Sequence, residues 1–260
     1  MKETLILLQP KLAIVPFANR DYEGTLKQSG DTVTVQIFPN LTITTGGTAG
    51  ADITSQYFVI TSEDLKVDQV AQANYTITNA EELKTNLNLR TKVAEGLSLA
   101  LSKEYDSYLA KIIVAGAGNS VSTAALTKSN IYAEVEKMRV LIENDNANDE
   151  HILFIRPEIA SLIRQSPEFD GFREGNDLRL KGLVSSMYAG FKVIQTTQVP
   201  TLTMFAIDRN SVNFVEQMKG MKITEAEKGF RYNMLLETLY VGKVFNANAD
   251  RIVKHVYTLG

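Results

Sequence analysis

The chain has 260 residues, of which 44% are hydrophobic and 22% are charged, and its formal net charge is −3. These values are ordinary for a globular protein with one large or two modest domains, and they exclude a basic protein that binds nucleic acid through its phosphates. The sequence has no cysteine and no apolar run of the roughly 18 residues that a membrane helix needs, so we expect a soluble, intracellular protein without disulfides, thiolate catalysis or membrane contact.

Residues 1–30 are predicted to form an irregular arm. Pro10, Pro16 and Gly24 interrupt every regular period, and the apolar side chains are too sparse to form a core. The arm is therefore expected to be disordered or to lie on something else.

Residues 31–70 predict a long projecting hairpin. Residues 32–38 alternate between polar and apolar side chains, as a half-buried strand does. A polar, glycine-rich stretch follows at 44–52, and β-prone runs return at 57–61 and 65–70. A hairpin of this length is uncommon in a compact enzyme domain, whereas it suits a protein that contacts its neighbours.

The strongest helical signal lies at 79–116. Asn79 and Glu82 resemble a capping box, and an apolar stripe then recurs at spacings of three and four residues. A helix of roughly 35 residues is about 50 Å long at a rise of 1.5 Å per residue, which is far beyond the usual globular helix. Gly96 is its one weak point. The length predicts a structural spine.

The rest of the chain alternates helices and strands. Small residues at 115–125 predict a linker, and residues 130–143 predict a helix. The inner face of that helix is predicted to consist of Ile131, Val135, Met138 and Ile142. Residues 151–155 predict a short buried strand, and Pro157 suits the first position of a helix through Arg164. Further strands are predicted at 191–196, 204–207, 212–217, 230–240 and 250–258. The pattern indicates the α+β class.

No set of residues indicates catalysis. His151 opens a predicted strand and His255 lies in an alternating strand, so both are interpreted as solvent-facing, and neither has the spacing of metal ligands. The stretch Gly116–Gly118 follows a helix instead of leading into one, unlike a dinucleotide loop. Glu104 and Asp106 are interpreted as solvated carboxylates. We predict no catalytic residue, no cofactor and no metal ligand.

Five stretches, in this order, carry a resemblance to a known family. They are ANRDYEGTLKQSGDTVTVQIFP (18–39), DLKVDQ with the following NYTITNAEEL (64–83), HILFIRPEIASLI (151–163), KGLVSSMYAGFKVIQTTQVP (181–200) and GFRYNMLLETLYVGKVFNANADRIVK (229–254). Together with the order of the predicted elements, they resemble the major capsid protein of tailed bacteriophages, which has the Hong Kong 97-type shell fold. The resemblance covers nearly the whole chain.

The resemblance implies a division of the chain into four parts. Residues 1–30 would be the N-terminal arm and residues 31–70 the extended hairpin called the E-loop. The peripheral domain would take 71–125 and 229–246, with the spine helix at 79–116. The axial domain, which surrounds the ring centres, would take 126–228 and 247–260, and AGFKVIQTTQVP would be one of its strands and turns.

The function implied by the resemblance is assembly. Copies of the chain would form pentamers and hexamers, and these would close into an icosahedral or prolate head that encloses double-stranded phage DNA without sequence-specific binding. A scaffolding protein, a portal and a cementing protein are the further partners that it implies. The chain would be made in the cytoplasm of the host bacterium and would end in the virion. Expansion of the shell would bend the spine helix, and Gly96 is expected to be the position where it bends.

Eight residues are predicted to contact neighbouring subunits, from the arm, the hairpin and the polar loop at 166–177. They are Tyr22, Gly46, Gly47, Tyr57, Phe169, Asp170, Phe172 and Arg173. Some members of the family cross-link their shells through a lysine of the hairpin, but Phe38–Asp64 contains no lysine here. We therefore predict a shell without covalent cross-links.

Two alternatives stay open at this point. An encapsulin-type bacterial nanocompartment has the same fold and a similar length, and enzyme cargo would favour it. A small-molecule enzyme or binding domain would instead need a well-formed pocket lined by titratable groups with shifted pKa values.

Overall fold

The computed structural model describes residues 12–22, 31–37, 60–78, 89–144, 150–167, 187–225 and 231–260. The helices in these ranges are η1 (Val15–Phe17), α1 (Leu89–Gly116), α2 (Ile131–Glu143), α3 (Pro157–Arg164) and η2 (Asn246–Arg251), of which η1 and η2 are 3-10 helices. The strands are β1 (Thr32–Ile37), β2 (Thr61–Lys66), β3 (Gln69–Thr78), β4 (Asn119–Leu126), β5 (His151–Ile155), β6 (Met187–Tyr188), β7 (Phe191–Gln195), β8 (Thr203–Asp208), β9 (Val212–Glu225), β10 (Arg231–Val244) and β11 (Ile252–Leu259).

A six-stranded mixed sheet forms one half of the molecule, in the order β4-β11-β8-β5-β7-β6. Its central strands are buried on both faces. Successive side chains of a strand point to opposite sides of the sheet, and helices pack against each side. Leu153 and Ile155 pack with α2 and α3, whereas Ile152 and Phe154 pack with α1 and η1. The apolar run HILFI therefore contributes side chains to two separate hydrophobic cores.

A three-stranded antiparallel sheet, β3-β10-β9, forms the other half. Helix α1 packs against it through a group of aromatic rings, in which the centroids of Tyr105 and Tyr240 lie 4.9 Å apart and those of Tyr108 and Tyr240 lie 5.0 Å apart. The Tyr105 hydroxyl also lies 3.0 Å from the Thr238 hydroxyl of β10. Because α1 also packs on the six-stranded sheet, it connects the two sheets.

Several predictions of secondary structure are confirmed. The predicted spine helix ends at Gly116 as expected, and its predicted start at 79–88 lies outside the described residues. Helix α2 follows Asn130, and its four predicted inner residues are fully buried. Helix α3 begins at Pro157 and ends at Arg164 as predicted.

Two assignments were wrong. The predicted linker at 115–125 contains β4, an edge strand that pairs in parallel with β11. The predicted strand at 65–70 is two strands of different sheets: β2 ends at Lys66, and β3 begins at Gln69 beside β10. A break of two residues takes the chain from one sheet to the next, which a continuous β-prone run does not reveal.

Candidate assembly surfaces

The base of the predicted hairpin is present and is attached to the rest of the chain. Strands β1 and β2 pair antiparallel from Thr32 with Lys66 to Ile37 with Thr61. The side chains of Leu65 and Val67 are buried against β9, β10 and the residue that follows β10. We call this group the root cluster; its buried members are Leu65, Val67, Val215, Leu239, Val241 and Phe245.

Polar contacts supplement the root cluster. The backbone N–H of Asn246 donates to the Glu63 carboxylate at 2.8 Å, and the Lys243 ammonium lies 3.3 Å from the other oxygen of that carboxylate. The same ammonium donates to the Asp64 carbonyl at 2.7 Å and lies 5.5 Å from the centroid of the Phe245 ring. The Val67 N–H donates to the Asp31 carbonyl at 3.0 Å, which closes the base of the hairpin.

The described part of the predicted arm, residues 12–22, packs on the chain's own core. Ile14 and Val15 are fully buried beside α1. The Asp106 carboxylate of α1 accepts hydrogen bonds from three consecutive N–H groups, those of Ala13 at 2.7 Å, Ile14 at 3.0 Å and Val15 at 3.2 Å. Burial raises the pKa of Asp106, and the three hydrogen bonds oppose that shift. The interpretation of Asp106 as a solvated carboxylate was therefore wrong.

Gly96 lies on an exposed position of α1. A Cβ atom added there would meet no atom within 4 Å among the described residues. Close packing among those residues therefore does not explain why a glycine stands here. Because glycine has a lower helix propensity than most other residues, Gly96 destabilises α1 locally.

The segment AGFKVIQTTQVP is the second half of a tight hairpin. Ala189 and Gly190 both have positive φ, 47° and 78°, and join β6 to β7 in a two-residue turn of the kind that suits hairpins. The Arg139 guanidinium lies against Gly190, where an added Cβ would approach its Cζ to 2.7 Å. Glycine is favoured here by its backbone conformation, and the Arg139 guanidinium, the end of a flexible side chain, occupies the space beside it.

Several apolar side chains on the described surface are exposed. They are Ile60, Val70, Tyr75, Val140, Met187, Leu202, Leu235, Val256 and Leu259. Strands β3 and β4 are edge strands, and among the described residues no further strand pairs with their outer edges. Exposed edges and apolar side chains are features by which copies of a chain can associate.

One of the eight predicted contact residues lies in the described part of the chain. Tyr22 is half-buried and packs edge-to-face on Phe245, with ring centroids 6.5 Å apart. The other seven lie outside the described residues: Gly46, Gly47, Tyr57, Phe169, Asp170, Phe172 and Arg173. Tyr22 thus contacts the root cluster of its own chain, and its contact with a neighbour stays a prediction.

Both histidines differ from their predicted solvent-facing state. His151 is largely buried, and its Nδ1 contacts the carboxylate of the buried Asp208 at the end of β8. Beside this pair, the Lys192 ammonium and the Arg209 guanidinium both lie near Glu150, at 2.7 Å and 3.3 Å. Phe191 packs edge-to-face against the His151 ring. The position of His151 at the start of a strand had suggested that its imidazole was open to water, but the side chain is only 13% exposed.

His255 is fully buried between β4 and α2. Its Nε2 lies 3.1 Å from the Thr123 hydroxyl and 3.4 Å from Glu134 Oε2. Burial lowers the pKa of His255, and Glu134 opposes that shift. Burial alone would raise the pKa of Glu134, but hydrogen bonds from Lys137, Thr123 and His255 outweigh it and lower that pKa. The hydrogen-bonded cluster of Thr123, Glu134 and His255 joins β4, α2 and β11. No pattern in the sequence indicated this cluster.

No group of three or more histidine, aspartate or glutamate side chains in the described ranges is placed to hold a metal ion. Within the same ranges, no helix combines the length and the apolar character that crossing a bilayer requires.

No protein-family model matches the chain, and no curated protein matches it in sequence. Solved structures do match. The capsid of the cyanophage P-SCSP1u superimposes with a TM-score of 0.81 at 14% identity, over 100% of this chain and 92% of that one. The chain has the fold of a phage capsid protein. A structure from Mycobacterium phage Che8 matches equally well, with a TM-score of 0.81 at 16% identity over 97% of this chain and 94% of that one.

The same fold extends to more distant structures. The capsid of Ralstonia phage GP4 has a TM-score of 0.70 at 10% identity and covers 99% of this chain and 94% of that one. A virus-like particle from Pyrococcus furiosus has a TM-score of 0.58 at 12% identity and covers 95% of this chain and 92% of that one. The TM-scores indicate a common fold, although few residues are identical.

Proposed function

We propose that this chain is the major capsid protein of a tailed bacteriophage, with the Hong Kong 97-type fold. It assembles through pentamers and hexamers into an icosahedral or prolate head around double-stranded DNA. The observation that carries the proposal is the match to phage capsid structures over nearly the whole chain. Its role is structural, and a net charge of −3 suits a protein that encloses DNA without gripping it.

The packing of the described residues supports the proposed division into domains. The peripheral domain comprises 71–125 and 229–246, and includes α1, β10 and all but the first two residues of β3. The axial domain comprises 126–228 and 247–260, and includes the core between α2, α3 and the six-stranded sheet. Two strands depart from the division. The boundary at 125 cuts β4 just before its end, so we place β4 with the axial sheet to which it is hydrogen bonded. Strand β9 lies within 126–228 but pairs with β10 along its length, so we place it with the peripheral sheet.

The proposed contacts between subunits come from the hairpin, 31–70, and from the arm, 1–30, apart from Ile14, Val15 and Ala18, which are buried in the chain's own core. A strand pair held at its base by the root cluster can lie across an adjacent copy without rearranging its own domain. Many weak contacts of this kind stabilise a closed shell through multivalency, even where each contact alone is weak. The further proposed partners are a scaffolding protein, a portal and a cementing protein.

An encapsulin-type nanocompartment is the second candidate, and the match to the Pyrococcus furiosus virus-like particle favours it. Its TM-score of 0.58 is lower than the 0.81 of the matches to Mycobacterium phage Che8 and cyanophage P-SCSP1u. The contents of the particle distinguish the two candidates: a phage head contains DNA, and a nanocompartment contains protein.

The test is to express the full chain and to separate it by size-exclusion chromatography, with and without a crowding agent, followed by negative-stain microscopy. Closed hollow particles, or rings of five and six copies, are the expected result. Particles are then treated with nuclease and their contents analysed for protected DNA and for co-purifying protein. A chain that stays monomeric at high concentration and binds a small molecule tightly would overturn the proposal.

A further inference from the structure

Strand β2 is attached to the rest of the chain at two separate points. Glu63, Leu65 and Val67 lie on one face, because they are spaced by two residues along a strand and its continuation. Leu65 and Val67 are buried in the root cluster. Glu63 is attached farther out, where its carboxylate accepts the N–H of Asn246 and lies beside Lys243.

The apolar contacts of Leu65 and Val67 and the polar contacts of Glu63 lie at different positions along β2. From Leu65, the outermost buried residue of β2, to Glu63 the chain advances two residues, which is roughly 7 Å at about 3.3 Å per residue. The partly buried Val33, Val35 and Ile37 of β1 also pack against the root cluster, but apolar packing is non-directional, whereas the hydrogen bonds to Glu63 and to the Asp64 carbonyl need a fixed direction. The structure therefore combines a non-directional apolar contact with one directional polar attachment that sets the angle.

The polar attachment is well placed for this role. The Glu63 side chain is 15% exposed and the Lys243 side chain 35%, so the pair is partly shielded from water and salt. Lys243 also donates to the Asp64 carbonyl at 2.7 Å, so one ammonium holds both a side chain and the backbone of β2. The contact joins β2 to the end of β10, the central strand of the three-stranded sheet.

We propose that Glu63 and Lys243 are positioning residues that set the angle of the β1–β2 hairpin to the three-stranded sheet, and that this angle determines the curvature with which copies of the chain associate. The inference rests on the proposed assembly function for its second half only. The angle itself is a property of a single chain. The partner is a second copy of this chain, which receives the hairpin at the direction that the two residues impose.

The absence of cysteine allows the angle to be measured directly. Spin labels at Gln36→Cys on β1 and Asn74→Cys on β3 report the distance between hairpin and sheet, and both side chains are exposed. Labelled chains are diluted with unlabelled chains so that only distances within one chain are recorded. The test variants are E63A, which removes both contacts of the carboxylate, and K243M, which keeps the aliphatic stem.

The matched control is E95Q, which breaks the exposed ion pair between Glu95 and Lys92 at 2.8 Å on α1. The parent and E95Q should give one narrow distance distribution, whereas E63A and K243M should lose it. The variants should also form particles of mixed diameter in cryo-electron micrographs, where the parent forms one size. Circular dichroism checks that each variant is folded.

The outcomes separate the two halves of the inference. An unchanged distance distribution in both folded variants would refute the positioning role, whatever the particles look like. A broadened distribution with particles of one unchanged diameter would refute the link from angle to curvature. If the parent stays monomeric at high concentration and binds a small molecule tightly, the proposed function fails, while the distances still decide whether Glu63 and Lys243 set the angle.

Discussion

The three hydrogen bonds at Asp106 lead to a quantitative prediction. In Asp106→Asn, the side chain keeps its shape but has one acceptor oxygen in place of two. The carboxylate accepts from Ala13 through Oδ2 and from Ile14 and Val15 through Oδ1. The asparagine can keep the last two bonds, but its NH₂ group then faces the Ala13 N–H, donor against donor.

The expected cost follows from these bonds. Replacing a charged acceptor and leaving the half-buried Ala13 N–H unsatisfied costs about 2–3 kcal/mol in the free energy that holds residues 13–15 on α1. At about 1.4 kcal/mol per factor of ten, local opening becomes roughly 30- to 140-fold more frequent. A second effect opposes this cost. Burial of the Asp106 charge is unfavourable and raises its pKa, and the neutral asparagine removes that unfavourable burial.

Hydrogen exchange followed by mass spectrometry measures this opening in peptides that cover residues 12–22. Exchange should accelerate by that factor in D106N and stay unchanged in E95Q, which alters an exposed carboxylate of the same helix. Equal or slower exchange in D106N would refute the reasoning. It would mean that the cost of burying the charge exceeds the benefit of the three hydrogen bonds.

Three further predictions follow from single sites. Gly96→Ala should raise the free energy of unfolding by about 0.5–1 kcal/mol in denaturant titrations. Gly118→Ala should lower the free energy of unfolding, because the added Cβ would lie 2.8 Å from the backbone carbon of Ala249. Equal effects of the two substitutions would contradict the packing described. Burial lowers the pKa of His255 below its ordinary value of 6.5, so the unfolded chain takes up the proton first and stability falls as the pH drops below about 6.5. His255→Gln should remove the pH dependence of the free energy of unfolding near pH 6. A second loss of stability below about pH 4.5, from the lowered pKa of Glu134, should persist. An unchanged pH dependence near pH 6 in the variant would show that His255 does not cause it. Boiled particles should run on a denaturing gel as one band at 28.8 kDa, since Phe38–Asp64 has no lysine; a ladder of higher bands would reveal cross-links.

The sequence predicted those elements whose signal is local. The inner face of α2 repeats every three or four residues, and the run HILFI is apolar enough to indicate a strand buried on both faces. Pro157 predicted the start of α3 for a stereochemical reason that holds in any fold.

The missed features depend on residues far apart in the chain. Strand β4 is made of small and polar residues, and it is a strand because it pairs with β11, about 130 residues later. Asp106 is bound by N–H groups more than 90 residues away. The polar attachment at Glu63 joins residues about 180 positions apart. No periodicity in the sequence reports such pairs, because each partner alone resembles an ordinary surface residue.

We propose that copies of this chain form a closed shell, and a cryo-electron microscopy reconstruction of the purified full chain would reveal such a shell. The expected result is a hollow particle built from rings of five and six copies, in which each β1–β2 hairpin points onto a neighbouring copy. A chain that stays monomeric at every concentration, or copies that meet through surfaces unrelated to the hairpin, would contradict it.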